Sequence, residues 1–172
     1  HHKPIHERSK LGLGYMPQTR CLFDSLSVFN NLAGLIQLFE KNENKVKEKC
    51  EQLMEQFNLV HLRSLNAGVL SGGEAKRLSL ARLMITNPKI VLLDEPLAAL
   101  DPIVIQDIQK YIMKIQSSGT SILITDHNVK NLFDITDRSY VLGEHSVIAE
   151  GTSNELLKSS KAIKHYFGSQ FS

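Results

Sequence analysis

One short apolar run constrains the fold of this chain more than any other feature. Residues 90–93 are Ile-Val-Leu-Leu, and the carboxylates of Asp94 and Glu95 follow directly. Such a run is typical of a central parallel strand that is buried on both faces and whose carboxyl end lies at the ligand-binding edge of a sheet. One carboxylate there can hold Mg²⁺, and its neighbour can orient a water molecule. We therefore expect an α/β fold with a parallel sheet.

A second stretch, residues 70–74, is Leu-Ser-Gly-Gly-Glu and has the pattern of a helix start. Ser71 can cap the free amides of the first turn, and Glu74 can reach back to complete a capping box. Gly72 and Gly73 would let backbone N–H groups approach an anion such as phosphate closely. Taken alone, the stretch is equally compatible with a capped turn that binds nothing.

A third feature follows the next predicted strand. After Gly119, residues 121–125 have the composition of a buried strand, and His127 follows its carboxyl end. Neighbouring parallel strands end at the same edge, so His127 should lie near Asp94 and Glu95. An imidazole in that place can hydrogen-bond an anion or hold a water molecule. Adjacent carboxylates are commonly surface charge, however, and a lone histidine is commonly structural.

Helices are predicted between these strands. Residues 27–65 have a helical pattern that Ser27 can cap. The charged segment 41–51 is most simply a solvated helix face, with a site for a charged partner as the alternative. Asp101 as N-cap and Pro102 at the first helical position predict a further helix. One apolar stripe at helical spacing comprises Val46, Cys50, Leu53, Met54 and Phe57.

The last part of the chain carries a hairpin and a capped helix. Residues 138–142 and 146–150 alternate as two strands that turn near Glu144. Thr152 and Glu155 repeat the capping-box pattern and predict a helix.

Composition excludes several classes of function. The net charge of the 172 residues is +2, which does not favour nucleic-acid binding. The chain contains no apolar run near the roughly eighteen residues that a membrane span needs, so a membrane role would require a partner. Cys21 and Cys50 have neither metal-site nor redox spacing, which fits a reducing cytoplasm.

The order of these motifs resembles the ATP-binding subunits of ABC transporters. Residues 70–74 resemble the signature motif of that family, and residues 90–94 resemble its Walker B motif. The remaining family positions, in chain order, are Gln18 as the Q-loop glutamine, Glu95 as the catalytic glutamate, Asp101 in the D-loop and His127 as the switch histidine. Many relatives carry Ser where this chain has Ala98, so one hydroxyl contact across the dimer is not expected.

The resemblance implies a P-loop NTPase-like α/β fold with a helical subdomain. Residues 1–26 would form the start of the core and the Q-loop, residues 27–87 the helical subdomain, and residues 88–172 the second half of the core with a tail. ATP and Mg²⁺ are the implied cofactors. By the same resemblance, Asp94 and Gln18 would bind Mg²⁺, and Glu95, His127 and Gln18 would be catalytic. The cofactor-binding residues would be Ser71, Gly72, Gly73 and Glu74, which would contact ATP held by a second copy, and Asp101 of the D-loop, which would have an intersubunit role in addition to its cap.

The resemblance also implies partners and a location. The protein would be a homodimer, peripheral on the cytoplasmic face of the inner membrane. A membrane permease would contact its helical subdomain near Phe23, Leu26 and Phe29, although core packing is an alternative for at least one of them. Residues 11–18 and 124–129 are similar to the lipopolysaccharide-export branch of the family and to its branched-chain amino-acid relatives.

One family motif is not found. None of the glycines begins a G-x-x-x-x-G-K-[ST] Walker A loop, whose amides and lysine hold the phosphates. We expect that the family's N-terminal part would precede His1, that these residues alone do not hydrolyse ATP, and that uncovered strands promote self-association. Alternatives are a partner that lacks Walker A in a heterodimer, a soluble ABC ATPase, and a helical interaction module without catalysis.

Overall fold

The computed structural model describes residues 4–143 and 145–159, and the chain forms two compact units, His1–His127 and Asn128–Ser172. The three-part division expected from the sequence stays a prediction.

A three-stranded parallel sheet forms the centre of the first unit. Its strands are β1 (Leu13–Met16), β2 (Ile90–Asp94) and β3 (Ser121–Thr125), and β2 lies between the other two. In the register of the sheet, Leu92 pairs with residues 15 and 123, and Asp94 pairs with Thr125. The predicted α/β fold with a parallel sheet is confirmed, as is the prediction that Asp94 ends a central strand.

The two faces of this sheet differ in burial. Val91 and Leu93 on one face of β2 are 0% and 1% exposed. On the other face Ile90 is 48% exposed and Leu123 of β3 is 58% exposed. The prediction that these strands are buried on both faces is therefore wrong for the residues that the structure describes, whereas the expectation of uncovered strands agrees with the exposure of Ile90 and Leu123. An unbroken apolar run shows that a strand can be buried on both faces, but burial also requires another element to pack on each face.

Helices accompany the sheet in the first unit. They are α1 (Ile5–Lys10), α2 (Val28–Ile36), α3 (Glu43–Gln56), α4 (Gly72–Leu83) and α5 (Pro102–Ser117), with 3₁₀ turns at Val60–Leu62, Ala67–Val69 and Met84–Thr86. Among them, α1 and α4 pack against β1. Local capping explains where several begin. The Ser27 hydroxyl accepts the Asn30 N–H at 3.1 Å, and the Asn42 side chain accepts two amides at the start of α3. The predicted cap at Ser27 is confirmed.

The core of this unit forms where α2, α3 and α4 pack together. The stripe predicted on α3 is buried, with Cys50 and Met54 at 0% exposure and Phe57 at 1%. Lys49 Nζ donates to the carbonyl of Ile85 at 2.7 Å and so joins α3 to the 3₁₀ turn after α4. The charged face of α3 is exposed to solvent, as its simplest interpretation predicts.

A buried amide that the sequence did not reveal organises the segment before α2. Asn31 is 0% exposed, its Nδ2 donates to the carbonyl of Phe23 at 3.0 Å, and its Oδ1 accepts the Phe23 N–H at 2.9 Å. Because a buried amide must be hydrogen-bonded, these contacts fix the backbone at Phe23 against α2.

The second unit contains α6 (Val129–Phe133), the antiparallel strands β4 (Ser139–Gly143) and β5 (Ser146–Gly151), and α7 (Ser153–Lys158). Its core is formed by Val141 and Leu156. The predicted hairpin is confirmed, and so is the capping box, because Thr152 accepts the Glu155 N–H while Glu155 accepts the Thr152 N–H. Glu144 and the tail from 161 to 172 lie outside the described residues.

None of the helices within residues 4–143 and 145–159 has the length and apolar character that a membrane crossing requires.

Candidate functional site

The ends of the three parallel strands bring an acidic group to one edge of the sheet. Asp94 is the last residue of β2, and its Oδ1 accepts a hydrogen bond from the Thr125 hydroxyl at 2.7 Å. The Tyr15 hydroxyl on β1 donates to Oδ2 of the same carboxylate at 3.4 Å. Donors on both neighbouring strands therefore hold the Asp94 carboxylate at the open edge of the sheet.

Glu95 follows Asp94 with an unusual backbone. Its φ is +44°, in the left-handed region that a residue with a Cβ adopts at an energetic cost. The Glu95 N–H donates to the carbonyl of Thr125 at 2.9 Å, and its own carbonyl accepts the Ala98 N–H at 3.3 Å. This turn breaks the alternation of the strand, so the Glu95 side chain does not continue the pattern of β2.

Two predicted site residues contact the Glu95 carboxylate. Gln18 Nε2 donates to Glu95 Oε2 at 2.7 Å, and His127 Nδ1 lies 3.5 Å from the same oxygen. The His127 side chain is 69% exposed, whereas the Glu95 side chain is 27% exposed. The structure therefore brings together Gln18, Glu95 and His127, from three distant parts of the sequence. A carboxylate that an amide and an imidazole orient is a suitable group to position a water molecule.

The start of α4 has the capping box that the sequence predicts. The Ser71 hydroxyl accepts the Glu74 N–H at 3.4 Å and donates to Glu74 Oε2 at 2.7 Å, while the Ser71 N–H donates to the same oxygen at 2.8 Å. The hydroxyl and then the backbone of Ser71 lower the pKa of Glu74. Glu74 in this chain is thus engaged in its own helix cap.

The two glycines of α4 lie against α5 and the loop before it. A Cβ on Gly73 would lie 2.5 Å from Val104 Cγ1, and a Cβ on Gly72 would lie 3.2 Å from Leu100 Cδ2. Absence of a side chain at position 73 therefore permits close packing of two helices, in addition to the backbone access for an anion that the sequence suggested.

Asp101 is the N-cap of α5, as predicted. Its Oδ1 accepts the N–H groups of Ile103 and Val104, both at 3.1 Å. In the loop between Glu95 and Asp101, Ala99 also has a left-handed backbone, with φ of +58°. The intersubunit role of Asp101 stays a prediction.

Sequence reasoning missed Lys76 on α4. Its Nζ donates to the carbonyl of Glu95 at 3.3 Å. Burial lowers the pKa of Lys76, against the opposing effects of Asp126, Glu95 and Asp94 among others. One signal could have found this residue: position 76 follows Gly72 by one helical turn, so both lie on the same helix face.

The donors at the strand ends fit a magnesium ion only in part. Among residues 4–143 and 145–159 there is no group of three or more His, Cys, Asp or Glu side chains that could hold a metal. Mg²⁺, however, usually takes one or two protein oxygens and completes its shell with water and substrate phosphates. The Asp94 carboxylate at the open edge fits that arrangement.

The three apolar residues predicted to contact a partner differ in exposure. Phe23 is 51% exposed and Leu26 is 39% exposed, whereas Phe29 is half-buried. An arginine lies over each ring: Arg82 Cζ is 4.9 Å from the Phe23 centroid, and Arg63 Cζ is 4.2 Å from the Phe29 centroid. The Gly68 N–H donates to the carbonyl of Asp24 at 2.9 Å. This bond ties the residue before the exposed Val69 to the segment that contains Phe23 and Leu26. This surface, which we call the apolar strip, comprises Phe23, Leu26 and Val69.

Comparisons with known proteins agree with this geometry. Residues 1–98 match the model of the ABC transporter family (ABC_tran). The "Lipopolysaccharide export system ATP-binding protein LptB" of Haemophilus influenzae is 38% identical over 98% of this chain and 70% of its own length, and the protein of that name from Escherichia coli K12 is 39% identical with the same coverage. The ADP conformation of MJ1267, an ATP-binding cassette of an ABC transporter, superposes with a TM-score of 0.83 at 29% identity, covering 96% of this chain and 72% of the other.

Proposed function

The chain belongs to the ABC transporter family and is an ATPase of that family, and we propose that it powers lipopolysaccharide export from the inner membrane. The names of the similar proteins from H. influenzae and E. coli support the choice of cargo. The observation that carries the hydrolytic role is the contact of both Gln18 and His127 with one oxygen of Glu95.

In the proposed reaction, Glu95 Oε2 accepts a hydrogen bond from the water that attacks the γ-phosphate of ATP. Gln18 and His127 hold that oxygen in place, and the exposed imidazole of His127 can also donate to the phosphate. Asp94, which Thr125 orients, would hold Mg²⁺ together with Gln18. The ion supplies positive charge that offsets the charge of the phosphates. Positioning and neutralisation of charge therefore account for the proposed catalysis.

A second copy of the chain would complete the site. The N-terminus of α4 carries the positive end of a helix dipole, and Ser71, Gly72, Gly73 and Glu74 would contact the γ-phosphate of ATP on the partner. Asp101 would contribute to the same dimer interface while it caps α5. The proposed state is thus a homodimer with two composite ATP sites.

The membrane subunits would bind the apolar strip. Its exposed Phe23 and Leu26 offer apolar area in the part of the chain, which also includes Phe29, that the family resemblance assigns to the permease contact. The proposed location is accordingly the cytoplasmic face of the inner membrane, reached through the partner.

The phosphate cradle is not among these 172 residues, because they contain no Walker A loop. We therefore expect that a protein limited to these residues does not turn over ATP. Measured ATP turnover by that protein, abolished by Glu95→Gln, would contradict this expectation.

The function is tested on the complete gene product, with any residues that precede His1. Glu95→Gln should reduce ATP turnover by at least about a hundredfold, because it replaces the charged carboxylate that accepts from the attacking water with a neutral, weakly basic amide. Glu55→Gln, an exposed carboxylate on α3, is the matched control and should leave turnover unchanged. Full turnover in Glu95→Gln would exclude the proposed role of Glu95.

The cargo is tested by depletion in the source organism. Lipopolysaccharide should accumulate in the inner membrane, and the wild-type gene, but not Glu95→Gln, should restore its export. Normal lipopolysaccharide delivery together with failed amino-acid uptake would instead indicate an importer.

A further inference from the structure

Lys76 connects the helix that begins with the two glycines to the turn that carries Glu95. It lies on α4, one helical turn after Gly72, and its Nζ donates to the Glu95 carbonyl oxygen at 3.3 Å. The contact joins residues that are 19 positions apart in the sequence. It is made within one chain, so it exists without a second copy.

The Glu95 turn needs such contacts because its backbone is strained. Its left-handed φ of +44° is unfavourable for a glutamate. The Glu95 N–H is bonded to β3 through Thr125, and its carbonyl accepts from Ala98 as well as from Lys76. The Ala98 bond lies within the turn itself, whereas the Lys76 bond ties the turn to a helix.

The surroundings of Lys76 restrict the movement of its side chain. Lys76 is half-buried and lines a cavity of about 130 Å³ together with Pro17, Gln18 and Gly72. Burial lowers the pKa of Lys76, and Asp126, Glu95 and Asp94 oppose that effect by favouring the charged form. The cation thus lies where the Gln18 segment, α4 and the acidic strand end meet.

We propose that Lys76 is a positioning residue for ATP hydrolysis: its ammonium group holds the Glu95 carbonyl and thereby keeps the turn that presents the Glu95 carboxylate to Gln18 and His127. The inference rests on the proposed role of Glu95. It has a structural consequence, because in the proposed dimer the start of α4 would face the ATP of a partner while Lys76 contacts the Glu95 turn of its own chain. A shift of α4 would then change the position of the Glu95 turn.

The test compares Lys76→Met, Lys76→Arg and Lys76→Gln in the complete gene product. Lys76→Met keeps the length of the side chain and removes the donor, so kcat should fall about tenfold while the KM for ATP changes less than about twofold. Lys76→Arg retains a charged donor and should recover most of the rate. Lys76→Gln is shorter and uncharged, and it should behave like Lys76→Met. Lys47→Met removes the same charge from the exposed face of α3 and should have no effect.

A double mutant separates positioning from a structural effect. If Lys76 acts through Glu95, Lys76→Met should not lower the residual single-turnover rate of Glu95→Gln any further. A further tenfold loss in the double mutant, a loss confined to KM, or full kcat in Lys76→Met would overturn the inference. If instead Glu95→Gln keeps full turnover, the proposed function of Glu95 fails first, and the role of Lys76 fails with it.

Discussion

Gly73 provides a direct test of how α4 and α5 are held together. An ideal Cβ at this position would lie 2.5 Å from Val104 Cγ1, 3.5 Å from Cγ2 and 3.6 Å from Cβ. Ordinary carbon contacts begin near 3.4 Å, so Gly73→Ala requires a displacement of nearly one ångström. Val104 cannot turn away easily, because a valine in a helix has one strongly preferred χ1 rotamer. The helices themselves must therefore move apart.

The expected cost follows from these distances. Overpacking of a well-packed contact costs about 1–3 kcal/mol of unfolding free energy. Replacement of glycine by alanine stabilises a helix interior by up to about 1 kcal/mol, and the first turn by less, so it offsets part of this cost. The net destabilisation should be about 1–2 kcal/mol, or a fall in Tm of roughly 2–8 °C for a protein of this size.

Thermal and urea unfolding of four variants measures this effect. Gly73→Ala/Val104→Ala removes the clash, so the double mutant should be more stable than the sum of the two single changes predicts, by about 1 kcal/mol or more. Gly72→Ala is the control. Its Cβ would meet the end of the Leu100 side chain at 3.2 Å, and that side chain can move, so Tm should change little. Additive single and double mutants, or a Gly73→Ala protein as stable as wild type, would refute the packing argument.

Two further predictions concern caps and thiols. Asp101→Ala should cost about 1 kcal/mol in urea unfolding, since it leaves the Ile103 and Val104 amides without their acceptor, whereas Asp101→Asn should keep most of the stability. If Asp101→Asn is stable but loses ATP turnover, the residue has an intersubunit role beyond its cap; equal stability of the Ala and Asn variants would contradict the cap. Burial raises the pKa of the Cys50 thiol from 9.0 to about 11. The unfolded chain ionises first, so stability should be unaffected below about pH 9 and should fall as the pH rises towards 11. Cys50→Ala should remove that slope, and a slope of the same size in the variant would disprove the assignment.

Local sequence patterns predicted much of the fold. The caps at Ser27, Ser71, Asp101 and Thr152 follow from short-range hydrogen bonding, which the identity of a few neighbouring residues determines. Parallel pairing of the strands follows from apolar runs of strand length separated by helices, whereas the register that places Asp94 opposite Thr125 came from the structure.

Features that depend on distant segments could not be predicted in this way. The exposure of Leu123 depends on whether another element covers that face, which the strand itself does not encode. The bond from Lys76 to the Glu95 carbonyl depends on the packing of α4 against the strand ends. The residue could be placed on a helix face from the sequence, but its partner could not.

The backbone strain after β2 shows why the site needs its supporting contacts. Among the described residues, those with positive φ other than glycine are Asn58, Asn87, Glu95, Ala99 and His145. Asparagine adopts this region readily, but glutamate and alanine do not. Glu95 and Ala99 both lie in the segment between β2 and α5, so the cost is concentrated beside the candidate catalytic carboxylate. If this segment relaxed to a right-handed backbone, the Glu95 side chain would leave the oxygen position that Gln18 and His127 share. The hydrogen bond from the Glu95 N–H to the Thr125 carbonyl and the one from Lys76 to the Glu95 carbonyl oppose that relaxation. The position of the carboxylate therefore depends on β3 and α4 as well as on the turn after β2.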